Sequence, residues 1–193
     1  ISLLAPWIAP YDPNVSDGSM RLASLGTKGH LLGLDDQGRD ILSRIIWGGR
    51  ISLVTALVPI VIAFLISLLL GLIAGFNQGT IGELIMRTLD VLFAFPMILF
   101  AIAIAAVLGS GMNTIMLTIT LVLIPYMSRV IYSAVVAEIG KEYIEAARIL
   151  GASNSTILFK ELLPNVITPL IVYATSLIGG MIVFSSGLSF LGL

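Results

Sequence analysis

Long apolar runs broken by a few polar segments dominate the chain. Residues 51–75, 91–128 and 162–193 carry no Asp, Glu, Lys or Arg. A run of about 20 such residues spans the hydrocarbon core of a bilayer as a helix. The pattern predicts four complete spans, at about 51–75, 88–108, 114–136 and 166–190, each with a proline inside or near its start: Pro59, Pro96, Pro125 and Pro169. Residues 1–8 are apolar but too short to cross, and read as the end of a first membrane helix. The Ala9-Pro10-Tyr11-Asp12-Pro13-Asn14 stretch then exits it. The expected fold is all-α, a polytopic transmembrane bundle treated as one domain over 1–193.

Two polar segments interrupt this pattern. Residues 10–50 form a loop ending in a short amphipathic helix, with Ile41, Leu42, Ile45 and Ile46 on one face and Asp40 able to cap its start. Such a helix is expected to lie along the membrane surface. The second segment, 138–165, reads EIGKEYIEAARILGASNSTILFKELLPN and must face water or a partner. Tyr143, Ala146, Ala147 and Leu150 recur at helical spacing, with Glu142, Glu145 and Arg148 on the polar face. Gly151 stands where a helix C-cap belongs, and Ser153 offers an N-cap oxygen to a second helix. Ile157, Leu158 and Leu162 give that helix an apolar stripe, and Pro164 is expected to stop it.

Composition agrees with a membrane protein. The 193 residues are 58% hydrophobic and 11% charged, against about 25% charged in a soluble domain. Mean hydropathy is +1.07. The net charge of -1 gives no reason to expect nucleic acid; with no cysteine and one histidine, His30, no thiolate or histidine metal cluster can form within the chain. There is no HExxH, Gly-x-Ser-x-Gly or P-loop pattern, so neither an enzyme nor a nucleotide-binding protein is indicated. The positive-inside rule gives no orientation. Arg21, Lys28, Arg39, Arg44 and Arg50 on one side stand against Arg87, Arg129, Lys141, Arg148 and Lys160 on the other.

The charges nearest the apolar runs are Asp90 and Arg129, which are expected to meet or share a polar cluster. An ion-coupled secondary transporter or a channel is the alternative class, but neither charge is central to its span, and a channel predicts nothing about the 138–165 insert. The prolines fit ordinary tolerance in membrane helices, or kinks that widen a passage. The small residues of the last run, Ser176, Gly179, Gly180, Ser185, Ser186 and Gly187, suit close helix packing, or lining of that passage.

Glu145-Ala146-Ala147, Gly151 and Leu163-Pro164 resemble, in identity and spacing, the EAA motif of ABC importer permeases. The one departure is Glu161 where the motif has Ile; Leu162 next to it would supply the apolar contact. His30 to Arg44, with Gly38-Arg39-Asp40 and Ser43-Arg44, resembles the HPLGTD-x-x-GRD-x-x-SR stretch of the C-type permeases of dipeptide, oligopeptide and nickel importers. It departs from that stretch at Leu31 and Leu34. Residues 189–193 resemble that branch's SFLGLG, which precedes an outer loop and a last span.

The resemblance implies the type I importer permease fold, multi-pass in a bacterial or archaeal inner membrane, here without most of the first helix and all of the last. It implies that 137–165 is a cytoplasmic coupling loop that docks into an ATP-binding subunit. The other implied partners are a second permease, a second ATP-binding subunit, an extracytoplasmic binding protein and membrane lipid. ATP would be bound by the partners, and this chain would hold no cofactor. Asp35, Asp36, Arg39 and Asp40 read on their own as a solvated capping and ion-pair cluster. The resemblance adds a second reading, in which Asp35, Gly38, Arg39 and Asp40 organise the outer face where the binding protein docks. Nothing resembles a nickel ligand set, which favours peptides as cargo.

Overall fold

The structure, a computed structural model, describes residues 1–27 and 29–192, so Lys28 of the charge comparison and Leu193 of the terminal motif lie outside the described residues. It is all-helical, and isolated β-bridges are the only extended pairing among the described residues. The chain divides into two compact units, Ile1–Val54 and Thr55–Leu193.

In the first unit a single 3₁₀ turn leads into the four-residue helix α1 (Ala5–Ile8). A loop follows, pinned by bridges between Ser16 and Arg39, Thr27 and His30, and Leu34 and Asp40. Helix α2 (Ile41–Phe76) then begins. Its 36 residues run without a break, so 41–50 is not the separate surface helix that the sequence suggested. Gly48 and Gly49 were the natural place for a boundary. Glycine costs a helix only about 1 kcal/mol relative to alanine, and neither residue leaves helical geometry. Pro59 is likewise accommodated inside α2.

The second unit continues α2 and adds α3 (Thr80–Phe93), α4 (Met97–Leu108), α5 (Met112–Ile139), α6 (Glu142–Ile149) and a last helix, α7 (Asn154–Phe190). Helices α2, α5 and α7 are each long and apolar enough to cross a membrane. The expected span at 88–108 is instead a broken pair: α3 and α4 meet at 83°. Pro96 caps α4 and cannot donate the hydrogen bond that would have carried α3 through. The expected polar loop at 76–87 shrinks accordingly, because α3 starts at Thr80 and carries Glu83, Arg87 and Asp90 on its turns.

Helix α5 is the hub, touching α3, α4 and α7. One apolar core gathers Ala56, Ile60, Ile119, Leu123, Met127 and Met181 between α2, α5 and α7. A second gathers Leu72, Ile131, Val135, Ile144, Ile157, Leu162 and Leu170 beneath the polar insert. Between the two, α2 and α5 approach closely. A Cβ added at Gly71 or Gly75 would run into Ile131 or Val135 of α5. The Ser67 hydroxyl also crosses to the carbonyl of Ile124 at 3.0 Å, beside Pro125.

Candidate functional site: a rigid polar insert and an ion-paired cleft

The insert after α5 is built from caps. Helix α6 ends at Ile149 with Leu150 as its C-cap, and Gly151 takes φ +84°, the left-handed conformation that glycine adopts without a Cβ penalty. Ala152 N–H donates to Ala147 O at 3.0 Å and Gly151 N–H to Arg148 O at 3.0 Å, the paired bonds of a Schellman motif. The Ser153 hydroxyl oxygen accepts from Thr156 N–H at 3.2 Å and opens α7. The two caps expected from sequence, Gly151 and Ser153, are therefore present with only Ala152 between them in a tight corner.

Pro164 does not stop the second helix. Residues Ile157–Leu162 form a π-helical turn, and α7 passes straight through the proline. In that turn Leu163 N–H reaches Leu158 O, five residues back. Pro164 then sits in the first turn of the α-helical stretch that follows, where a missing N–H is tolerated. The Asn165 side chain donates to Glu161 O at 2.6 Å, giving that carbonyl a partner. Ile157 and Leu162 are both fully buried in one cluster, so Leu162 gives the apolar contact beside Glu161.

On α6 the buried residue is Ile144, which the sequence pattern passed over. Tyr143 and Ala147 pack beside it. Leu150, expected on the same inner stripe, points out instead: Ile149 and Leu150 are 80% and 86% exposed. Glu145 and Ala146 are exposed on the same short helix. The loop thus has an anchored underside and a bare apolar tip edged by Glu145 and Arg148. Tyr143 fastens it. Its hydroxyl donates to Glu138 Oε1 at 2.8 Å and accepts from Asn165 Nδ2 at 3.2 Å, joining α5, α6 and α7. Burial, and after it the Glu138 carboxylate, push the phenol up to about 12. No periodicity argument finds this role, because it depends on a hydroxyl meeting two groups from other helices.

Asp90 and Arg129 come together: Arg129 Nη2 donates to Asp90 Oδ1 across α3 and α5. The guanidinium also lies 5.4 Å from the Phe93 ring, which in turn packs on Tyr126 at 4.5 Å. One turn away Arg87 Nε donates to Glu83 Oε1 at 3.0 Å. These four charges, with Gln78 and Tyr132, line a cleft of about 480 Å³.

In the first unit Asp35, Arg39 and Asp40 of the charge cluster are hydrogen-bonded, while Asp36 is exposed. Asp35 Oδ1 accepts from the backbone N–H groups of Gln37 (2.8 Å) and Arg39 (2.9 Å), while Oδ2 takes Arg39 Nε at 2.9 Å and Arg44 Nη1. The backbone N–H of Arg39 is the largest influence holding the Asp35 carboxyl well below the usual carboxylate range. Asp40 caps α2 through Ser43 N–H at 2.8 Å and holds His30 Nδ1 at 2.9 Å. Burial alone would raise its pKa, but these hydrogen bonds outweigh it and the net shift is downward. Gly38 carries the turn at φ +79° and accepts from Asp17 N–H at 2.8 Å. Arg44 and Asp12, with Trp47, also border a second cleft of about 430 Å³. Among the described residues, no group of His, Cys, Asp and Glu could hold a metal ion.

Helices long and apolar enough to span, around a dense apolar core, with a capped polar corner held on one helix end, define a multi-pass membrane protein. Residues 67–193 match the family described as "Binding-protein-dependent transport system inner membrane component". The chain belongs to that family, the inner-membrane permeases of ABC importers. Over its whole length it is 41% identical to the di/tripeptide transport system permease protein DppC of Pseudomonas aeruginosa, covering 65% of that protein. It is 39% identical to the glutathione transport system permease protein GsiD of Pectobacterium atrosepticum and 40% identical to GsiD of Escherichia coli O6:K15:H31, covering 64% of each. The chain therefore spans 64 to 65% of the length of these relatives.

Proposed function

We propose that the whole protein is one of two permease subunits of an importer for short peptides, and that the 137–165 insert transmits work from an ATP-binding subunit. The observation that carries this reading is the corner at Gly151. It presents Ile149 and Leu150 bare, on a helix whose other face is locked to α5 and α7 by Ile144, Ile157 and Leu162. An exposed apolar tip on a rigid base, with a charged rim, suits docking of a short helix in a groove. Rigidity matters as much as affinity, since a floppy loop would absorb a partner's movement instead of passing it on.

In this reading two ATP-binding subunits close on ATP, pull the two permeases' corners together and bias the spans toward an outward-open state. Hydrolysis resets them, and nucleotide is held by the partners. An extracytoplasmic binding protein delivers the cargo. The names of the relatives support a peptide or the peptide-like glutathione as that cargo. Asp35, Gly38, Arg39 and Asp40 stiffen the loop on which such a delivery protein would dock.

The test is uptake by the assembled full-length transporter. Glu145→Arg, or Gly151 replaced by a bulky residue, is expected to abolish ATP-driven uptake and co-purification of the ATP-binding subunit, with the helical content of the membrane domain retained. Normal uptake by both variants would refute the coupling role.

A further inference from the structure

The cleft between α3 and α5 has no part in the coupling loop, and its charges are placed unusually. Arg129 stands ten residues before the end of α5 at Ile139, about 15 Å along the helix. Arg129 therefore lies on the body of a helix long and apolar enough to span, not in its end turns. Yet the side chains of Arg129 and Asp90 are 49% and 50% exposed, and those of Arg87 and Glu83 more so. Charges on a spanning helix pair with one another or face water rather than hydrocarbon, and an ion pair left half open suits a water-filled cleft. The cleft's volume of about 480 Å³ falls within the range of small-molecule sites, about 300 to 1,000 Å³.

Its four charges sum to zero, two acids and two arginines, each already paired with an opposite charge. That arrangement selects one class of ligand. An anion or a cation alone would strip a partner from one charge and leave it bare. A zwitterion exchanges partners without changing the net charge. Its carboxylate can take the Arg129 fork, and its ammonium can take Asp90 and Glu83. Resting on the peptide-import reading above, we infer that this cleft is a transit site for the two charged ends of a short zwitterionic peptide. Asp90 holds Arg129 ready until the peptide carboxylate replaces it. Phe93 keeps the guanidinium plane in position meanwhile, stacked 5.4 Å away.

The test uses the full transporter with its binding protein in proteoliposomes, taking up radiolabelled dialanine. Arg129→Gln removes the fork, Arg129→Lys keeps the charge but loses the paired donors, and Asp90→Asn removes the ammonium site. The double variant Asp90→Arg with Arg129→Asp restores an ion pair of reversed polarity. All are compared on complexes that elute intact. The losses expected for one charge-assisted contact are about 10- to 100-fold in kcat/KM for Arg129→Gln and Asp90→Asn. A smaller loss is expected for Arg129→Lys, which keeps the experiment decisive if Arg129→Gln fails to assemble, and no recovery in the reversed pair.

Recovery of the reversed pair to within twofold of the unmodified transporter would overturn the inference and make the pair a structural clamp. So would wild-type kcat/KM in the single variants. Absence of dialanine uptake by the unmodified transporter would overturn the cargo reading and the proposed ligand with it.

Discussion

At the scale of single residues, Gly151 and Asp35 carry the sharpest consequences. Gly151 holds φ +84° in open space, so only its backbone conformation restricts what can replace it. Gly151→Asn should be tolerated, because Asn enters the left-handed region readily. Gly151→Val should cost the corner about 1 to 2 kcal/mol or more. Amide hydrogen exchange over 142–156 would report this as faster exchange in the valine variant alone. Truncating the anchor beneath it, Ile144→Ala, should cost about 2 to 5 kcal/mol, read as a lower midpoint of thermal unfolding.

Asp35 gives a pH dependence with a definite sign. Its folded pKa lies below the ordinary carboxylate value because its ionised form is hydrogen-bonded, and Asp40 shifts the same way. A depressed folded pKa stabilises the loop fully above the unfolded value, about pH 4, and the contribution fades as pH falls below it. Both tryptophans of the chain, Trp7 and Trp47, belong to this unit. Their fluorescence should stay flat from neutral pH down to about 4 and change below that. In Asp35→Asn the neutral-pH signal should already be shifted towards the acid form.

At the scale of elements, prolines and glycines decided boundaries that hydrophobicity could not. Pro96 broke a predicted span, Pro59 and Pro125 were absorbed within helices, and Pro164 was bridged by a π turn. Side-chain hydrogen bonds to neighbouring carbonyls flank two of these rings. At Pro125 a neighbouring helix brings the Ser67 hydroxyl to the adjacent carbonyl. At Pro164 the Asn165 amide serves the Glu161 carbonyl. The Gly71-x-x-x-Gly75 pair was a readable signal of close helix packing that hydropathy alone hides. Gly71→Leu should force α2 from α5 at Ile131 and lower the unfolding midpoint. The expected cost is about 1 to 3 kcal/mol, and an exposed Gly179→Leu serves as the comparison with no such contact within the chain.

At the scale of the whole molecule, the small-residue face of α7 stands open. Ser176, Gly179, Gly180 and Gly187 are exposed, with nothing against the glycines. Such a face lets a second helix approach closely, as a paired permease would require. Disulfide trapping offers the check. A cysteine introduced at Gly180 in the full-length protein, combined with single cysteines placed along the facing helix of the partner permease, should cross-link the two chains under mild oxidation. A cysteine at buried Leu170 should not.

The sequence by itself determined the membrane class, the apolar runs, the polar insert with its Gly151 and Ser153 caps, and the family motif. These are local or compositional properties: uncharged length, residue spacing and a single backbone conformation that one residue type adopts freely. Tertiary structure alone decided which helices run on and which break. It also buried Ile144 while leaving Leu150 bare, put Leu162 in the place of the motif's Ile, and joined Tyr143 to Glu138 and Asn165. Each of these depends on how side chains meet in three dimensions across α2, α3, α5, α6 and α7, and residue spacing alone, even within the 138–165 segment, does not give that geometry.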